Sequence, residues 1–129
     1  TGNGGGVLSG GGVVLSIPAS VRIFLAVEPC DMRKSYDGLQ RVARERLRED
    51  PTSGALFLFT NKRRNRLKVL YWDGTGVWVM GKRPEKGCFS WPEGVQVAEG
   101  KLRLSRRALA LLLEGVDLKK ENQKAWFEA

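Results

Sequence analysis

Three short apolar segments with hairpin-length connectors constrain the fold of this chain more than any other feature. The segments are residues 56–60, 66–72 and 77–82, and each is rich in aliphatic and aromatic side chains. The connectors at 61–65 and 73–76 have the length and the Asn, Asp and Gly content of hairpin loops. Because strands joined in this way pair antiparallel, the sequence predicts a three-stranded antiparallel β-meander.

The periodicity before the meander predicts one further strand and a long helix. Residues 21–27 place apolar side chains at every second position, as a strand does. From Met32 onward, apolar residues recur three and four positions apart, which is typical of an amphipathic helix. Asp31 is the predicted N-cap, and Pro51 predicts a helix end at Asp50 because proline disfavours helical backbone in the preceding residue.

Shorter elements are predicted after the meander. Residues 88–91 have the composition of a short strand, and 95–98 are expected to pair with 101–104. Ser105 is the predicted N-cap of a last helix, and Gly115 is its predicted stop. The predicted buried stripe of this helix consists of Ala108, Leu109, Leu112 and Leu113.

These elements predict an α+β fold in which an antiparallel β-meander packs against one long amphipathic helix, with a short C-terminal helix. Seven of the first twelve residues are Gly and the first 20 carry no charge, so residues 1–15 are expected to form a flexible arm, native or left from cloning. Residues 16–118 are expected to form a single domain, and 119–129 a C-terminal tail. The 42% hydrophobic content is sufficient for one core.

Composition excludes several classes of function. The chain has no His, so neither a Ser-His-Asp triad nor a His-based zinc site can be built from it. Cys30 and Cys88 are predicted to be free thiols in a reducing compartment. The longest aliphatic run, 108–113, is far shorter than the roughly 18 residues of a membrane span, and the N-terminus lacks the basic region of a secretion signal. We expect a cytoplasmic protein with no membrane contact, no metal and no cofactor.

The positive charge is concentrated in one part of the chain. Residues 61–86 carry eight basic and two acidic residues, net +6, whereas 21–60 and 87–129 are each net +1 within a total of +8. Five of these cations surround the first hairpin connector and form what we term the basic hairpin: Lys62, Arg63, Arg64, Arg66 and Lys68. Together with Lys82 and Arg83 they are the candidate nucleic-acid-binding residues, since a rigid ribbon can carry cations to DNA phosphates.

If all five cations of the basic hairpin met phosphates, log K would fall with log salt at a slope of about −4.5. The alternative is a solvated hairpin whose charges maintain solubility and block edge pairing. A possible second basic surface consists of Arg33, Lys34, Arg41, Arg44 and Arg48. Pairing of these cations with acids of the same segment, including Asp37, Glu45 and Glu49, is the competing interpretation.

Two further groups of residues have both a functional and a structural interpretation. Lys101, Arg103, Arg106 and Arg107 lie near a predicted helix start, where the helix dipole does not favour cations, so a partner is one explanation. The aromatic residues of the strands are suited to stacking on unpaired bases, but cross-strand packing is the favoured interpretation. They are Tyr71, Trp72, Trp78, Phe89 and Trp91.

Several motifs in this order resemble one known family. They are DMRKSYDGL at 31–39, DPTSG at 50–54, NKRR at 61–64, RLKVLYWDG at 66–74, FSWP at 89–92 and LLEGVD at 112–117. The chain resembles, over about residues 16–119, the TnpB-type accessory protein encoded by the second open reading frame of the bacterial insertion-sequence family numbered sixty-six. It departs from that family at Gly81 and Pro84 and in a lengthened 93–101 stretch. The resemblance implies a role in transposition beside a separate transposase.

We therefore expect a non-catalytic accessory protein that assists transposition by binding DNA at element ends through the basic hairpin. The alternative is a protein-interaction module that docks on the transposase or on a second accessory protein without contacting nucleic acid. Two-metal nuclease chemistry requires converging carboxylates, and the candidates Asp31, Asp73 and Glu114 each have a local structural reason to be present. No catalytic residue is predicted.

Overall fold

The structure, a computed structural model, describes the backbone of residues 6–9 and 12–15 together with residues 20–92 and 98–115. Besides a short 3₁₀-helix at Ala98–Gly100, two α-helices and seven strands lie within these ranges. In chain order they are β1 (Gly6–Ser9), β2 (Gly12–Leu15), β3 (Ile23–Ala26), α1 (Tyr36–Glu45), β4 (Leu56–Thr60), β5 (Leu67–Trp72), β6 (Val77–Lys82), β7 (Lys101–Arg103) and α2 (Arg106–Glu114). The α+β class predicted from the sequence is confirmed.

Strands β3 to β7 form one five-stranded sheet in the order β6-β5-β4-β3-β7. Strands β4, β5 and β6 pair antiparallel in succession, and β4 and β6 have the predicted bounds. The sheet as a whole is mixed rather than antiparallel, because β3 pairs parallel with β4. Parallel neighbours need a long crossover connection, which the segment containing α1 supplies here.

Strand β7 also corrects a predicted pairing. The predicted 101–104 segment does form a strand at Lys101–Arg103, but it pairs antiparallel with β3. Its expected partner at 95–98 lies almost entirely outside the described residues. Residues 88–91 are not a strand, since the Phe89 N–H donates instead to the Arg64 carbonyl of the hairpin loop at 2.7 Å. Strands β1 and β2 pair with each other in a separate two-stranded sheet within the segment predicted to be an arm.

Helix α1 begins later than its periodicity predicts. Its N-cap is Ser35, and Asp31 does not cap it. The Asp31 carboxylate instead accepts hydrogen bonds from the backbone N–H and the guanidinium of Arg33, which closes a local turn before the helix. An apolar pattern continues through such a turn because Met32 also packs against the core.

Helix α1 also ends earlier than predicted, at Glu45. The N–H groups of Arg46 and Leu47 both donate to the Val42 carbonyl, and Arg48 adopts a left-handed conformation with φ 57°. The chain therefore leaves the helix several residues before Pro51. The predicted single long helix is in fact ten residues long.

Each face of the sheet carries one helix. Helix α1 buries Leu39, Val42 and Ala43 against a sheet face that includes Phe57 and Phe59. Helix α2 buries Ala108, Leu109 and Leu112 against the opposite face, which includes Leu58 and Val69. Residues of the central strand β4 are therefore buried on both sides, which explains why it is apolar at nearly every position.

The ends of α2 follow the prediction. The Ser105 hydroxyl accepts a hydrogen bond from the Ala108 N–H at 3.0 Å, and Gly115 ends the helix with φ 84°. Trp91 is buried beside this helix, and its indole N–H donates to the Ala26 carbonyl at 3.0 Å. Among the described residues, no helix has the length and apolar character that spanning a membrane requires.

Candidate nucleic-acid interface

One end of the five-stranded sheet gathers ten of the 22 basic side chains of the protein. The register places Thr60 opposite Leu67, and Leu67 opposite Lys82, so β4 ends, β5 begins and β6 ends at this position. The loop before α1 joins the same end, because the Cys30 N–H donates to the Thr60 carbonyl at 2.8 Å. Sequence segments that are far apart therefore meet at one surface.

We term this surface the basic end and define it as residues 27–37, 61–68 and 82–87. Four acidic residues lie in it, Glu28, Asp31, Asp37 and Glu85. Ten basic residues lie in it: Arg33, Lys34, Lys62, Arg63, Arg64, Arg66, Lys68, Lys82, Arg83 and Lys86. Ten minus four gives a net charge of +6, against +8 for the whole chain.

The loop of the basic hairpin is held by Asn61. Its side-chain oxygen accepts hydrogen bonds from the backbone N–H groups of Asn65 at 3.1 Å and Arg66 at 3.2 Å. Its side-chain NH₂ donates to Asn65 Oδ1 at 2.7 Å. The two asparagines are not among the predicted functional residues, although Asn at both ends of a five-residue connector is a signal for such a closed loop. The cations between them are consequently carried on a fixed backbone.

The five cations of the basic hairpin occupy different environments. Lys62, Arg63 and Arg66 are exposed at the hairpin loop. Arg64 is half-buried, adopts φ 58°, and its carbonyl receives the Phe89 N–H, so it also anchors the segment after β6. Of the five cations, these three are therefore the ones most accessible to solvent.

Lys68 and Lys82 contribute to the fold as well as to the charge. The Lys68 ammonium donates to the Lys34 carbonyl at 2.7 Å and joins β5 to the loop before α1. The Lys82 ammonium donates to the Leu113 carbonyl in the last turn of α2, where the helix dipole favours a cation. Arg83 follows β6 and is exposed at the basic end.

The residues of the proposed second basic surface do not all lie together. Arg33 forms an ion pair with Asp31 at 2.7 Å, and the side-chain hydrogen bond from Arg33 lowers the pKa of Asp31 to about 2. Lys34 belongs to the basic end through its contact with Lys68. Arg41 and Arg44 lie on the exposed side of α1, and Arg48 is exposed in the turn after it.

Lys101, one of the four cations near the start of α2, joins β7 to the segment after α1. The Lys101 ammonium donates to the Leu47 carbonyl at 2.6 Å, to Glu49 Oε2 at 2.5 Å and to Glu99 Oε2 at 3.0 Å. It also lies 5.5 Å from the centroid of the Phe24 ring. Burial opposes its charge, but the hydrogen bonds to the two carboxylates outweigh that effect and raise the pKa of Lys101. Glu49, expected to pair along the helix, thus binds β7 instead.

The five aromatic residues considered for base stacking mostly contribute to the core. Phe89 and Trp91 are buried, as the packing interpretation predicts. Trp78 is 55% exposed, and its indole N–H donates to Asp73 Oδ2 at 2.7 Å. Tyr36, the first residue of α1, is 50% exposed at the basic end and is not among the predicted site residues.

The carboxylates considered for metal chemistry are separated by the fold. Asp31 lies at the basic end, whereas Asp73 lies in the β5–β6 turn at the opposite end of the sheet. The side chain of Trp78 and hydrogen bonds from Thr75 and Gly76 lower the pKa of Asp73, so its role is to hold this turn. A search of the described residues for clusters of Cys, Asp or Glu able to hold a metal ion finds none.

Comparison with known proteins gives a consistent set of relatives. The family model described as IS66 Orf2 like protein matches residues 21–123. The uncharacterized protein y4jC of Sinorhizobium fredii is 36% identical over 104 residues, which cover 81% of this chain and 86% of that protein. The uncharacterized protein y4hO of the same organism is 33% identical over 107 residues, which cover 83% and 90%. No solved structure matches.

Proposed function

The chain belongs to the IS66 Orf2-like family of insertion-sequence accessory proteins, and from this membership we propose that it assists transposition by binding DNA through the basic end. The binding is non-catalytic: the protein holds DNA at or near the ends of the element while a separate transposase performs the chemistry. The observation that carries this proposal is the net charge of +6 that the fold collects at one end of the sheet from three separate segments.

The hairpin loop supplies the contact surface. Lys62, Arg63 and Arg66 are exposed on a loop whose backbone is fixed by Asn61, so little conformational entropy is lost when they meet a phosphate strand. Such contacts position a protein on a duplex without reading its sequence. We therefore expect strong salt dependence and only a small preference for the element ends from this surface alone.

The docking alternative has less support from the contacts. A docking module needs an exposed apolar face, but in α2 Leu109 and Leu112 are buried against the sheet and Leu113 is partly buried against the same core. On α1, Leu39, Val42 and Ala43 likewise face the sheet, and the exposed side is polar apart from the half-exposed Tyr36. Both helices therefore use their apolar faces to build the protein's own core.

A salt-titrated binding assay tests the proposal. The full chain is titrated into a fluorescent duplex carrying the element end and into a scrambled duplex of equal length, from low to high salt. We expect affinity for both that falls linearly on a log–log plot, with a slope between about −2.7 and −4.5 for three to five phosphate contacts.

Two further measurements address the competing functions. Co-purification with the transposase that survives high salt and nuclease treatment, without measurable affinity for DNA, would replace this proposal by the docking function. Cleavage of element-end DNA that depends on Mg²⁺ or Mn²⁺ and on this chain would show that the protein is catalytic.

A further inference from the structure

Strand β6 lies at an edge of the five-stranded sheet, and within the described residues only β5 pairs with it. Sheet edges in natural proteins are usually protected by proline, by charged side chains or by bulges. The five residues Val77 to Gly81 contain no proline and no charge, and their pairing with β5 continues without a bulge. This edge is therefore competent to accept another strand.

The hydrogen-bond pattern identifies which groups the edge presents. The Asp73 N–H donates to the Gly76 carbonyl at 3.0 Å, so the neighbouring Trp72–Val77 pair is a non-hydrogen-bonded pair. Alternation along the ladder then directs the N–H and C=O groups of Val77, Val79 and Gly81 away from β5. Within the described part of the chain these three alternate residues have no strand partner on that side, and they form the kind of row that β-augmentation uses.

The side chains of this edge suit a second copy of the same strand. In a two-fold antiparallel arrangement centred on Val79, Val79 faces its own equivalent, Val77 faces Gly81, and Trp78 faces Met80. Outward hydrogen-bonding groups then meet outward groups, and about six main-chain hydrogen bonds form. Trp78, 55% exposed in the single chain, gains a methionine neighbour, a favourable sulfur–aromatic contact.

The register centred on Val79 brings no like charges together and causes no steric clash at Gly81. Lys82 falls outside the shared Val77–Gly81 ladder, and its ammonium is already bound to the Leu113 carbonyl, so the two copies place no like charges opposite each other. Gly81 leaves room above the strand, because a Cβ built there has only the Leu67 carbonyl oxygen near it, at 3.8 Å. The side chain of Val77 on the facing strand can occupy that space.

From these observations we propose that β6 pairs with β6 of a second copy, in the register centred on Val79, so that the two sheets join into one ten-stranded sheet. The partner is a second copy rather than an unrelated strand because the sequence of the edge is complementary to itself. The surface lies along the side of the sheet and does not include Lys62, Arg63 or Arg66, so this inference and the DNA-binding proposal can fail independently.

Mass measurement of the full chain is the first test. Light scattering coupled to size exclusion is expected to give twice 14.3 kDa at about 0.1 mM protein. Gly81→Lys adds a charge in the ladder at a position with room for a side chain, and it is expected to shift the mass to that of one chain. The matched control is Ala110→Lys, which adds the same charge on the exposed side of α2 and is expected to leave the dimer intact.

Disulfide trapping tests the register. In a Cys88→Ser background, Val79→Cys is expected to form a cross-linked dimer on mild oxidation, because Cα atoms of a hydrogen-bonded pair are about 5.5 Å apart, within disulfide range. Ala110→Cys in the same background is the control and should remain uncross-linked. Cys30 is half-buried and burial raises the pKa of its thiol, so it reacts slowly.

A wild-type chain that stays at the mass of one copy at about 0.1 mM would overturn the proposal and leave this edge to another strand. A dimer that Gly81→Lys does not affect, or that Val79→Cys does not cross-link, would show that the two copies meet elsewhere. Circular dichroism of both variants confirms that a loss of dimer is not a loss of fold.

Discussion

Removing the three exposed cations of the hairpin loop is the sharpest test of the DNA-binding function. The variant is Lys62→Ala, Arg63→Ala and Arg66→Ala, which lowers the net charge from +8 to +5. Arg64 is retained, because its backbone is strained at φ 58° and anchors Phe89, so replacing it would confuse folding with binding. Asn61, which holds the loop, is also retained.

The magnitude follows from counterion release. Each phosphate contact contributes about 0.9 to the slope of log K against log salt, so three contacts contribute about 2.7. Over the tenfold range from about 0.1 M to 1 M salt, a slope of about 2.7 corresponds to about 2.7 decades in affinity. At about 0.1 M salt the variant is therefore expected to bind roughly 500-fold more weakly than the wild type, a difference of about 3.7 kcal/mol. The difference between the variant and the wild type should vanish as the salt concentration approaches 1 M.

The matched control removes the same charge from another surface. Arg41→Ala, Arg44→Ala and Arg46→Ala act on exposed positions in and just after α1 and also leave a net charge of +5. Fluorescence anisotropy with the same duplex is measured for all three proteins across the salt range. An equal loss in the two variants would show a diffuse effect of net charge, and an unchanged slope in the hairpin variant would refute phosphate contact by the loop.

The helix cap, the buried tryptophan and the turn before α1 provide three smaller tests. Ser105→Ala should lower the free energy of unfolding by about 1 kcal/mol in urea titration, whereas Ser35→Ala should leave it within about 0.5 kcal/mol, because only Ser105 makes a side-chain capping bond. Trp91→Phe removes the indole N–H that donates to the Ala26 carbonyl and should lower the free energy of unfolding by about 1 kcal/mol or more in the same titration; an unchanged midpoint would contradict the bond. The Asp31 carboxyl should titrate by NMR with a midpoint near pH 2. Its pKa is lower in the folded state than its usual 3.8, so the stabilisation it provides is complete above about pH 4 and is lost as the pH falls toward 2; a midpoint near 4 would show that Arg33 is not bound to it.

Local signals predicted the elements whose contacts are close in sequence. Strands β4 and β6 and the cap and stop of α2 follow from alternation, turn residues and capping chemistry, all of which act over a few residues. The length of α1 was overestimated because Met32 and Leu47 continue the apolar period outside the helix. Burying an apolar side chain in the core is favourable whether its residue lies in a turn or in a helix. Periodicity alone therefore does not locate a helix end.

Charge counting along the chain identified the cations but not their environments. Lys62, Arg63 and Arg66 are exposed, whereas Lys68 and Lys82 hold together parts of the fold that lie 34 and 31 residues apart in sequence. Contacts over such separations depend on how strands and helices are arranged, and no local pattern reports them. For the same reason, no local pattern predicts that the loop before α1 meets the hairpin at the basic end.

By itself, the sequence determined the α+β class, the antiparallel pairing of the three meander strands, the concentration of positive charge in residues 61–86 and the likeness to one family. Only the tertiary structure decided that β3 joins β4 in parallel, that β6 is left at an edge, and that three basic segments share one end of the sheet. The division has a physical reason: side-chain periodicity, turn chemistry and charge are properties of neighbouring residues. Strand order is set by the burial of both sheet faces, to which α1, α2 and strands β3 to β6 contribute together.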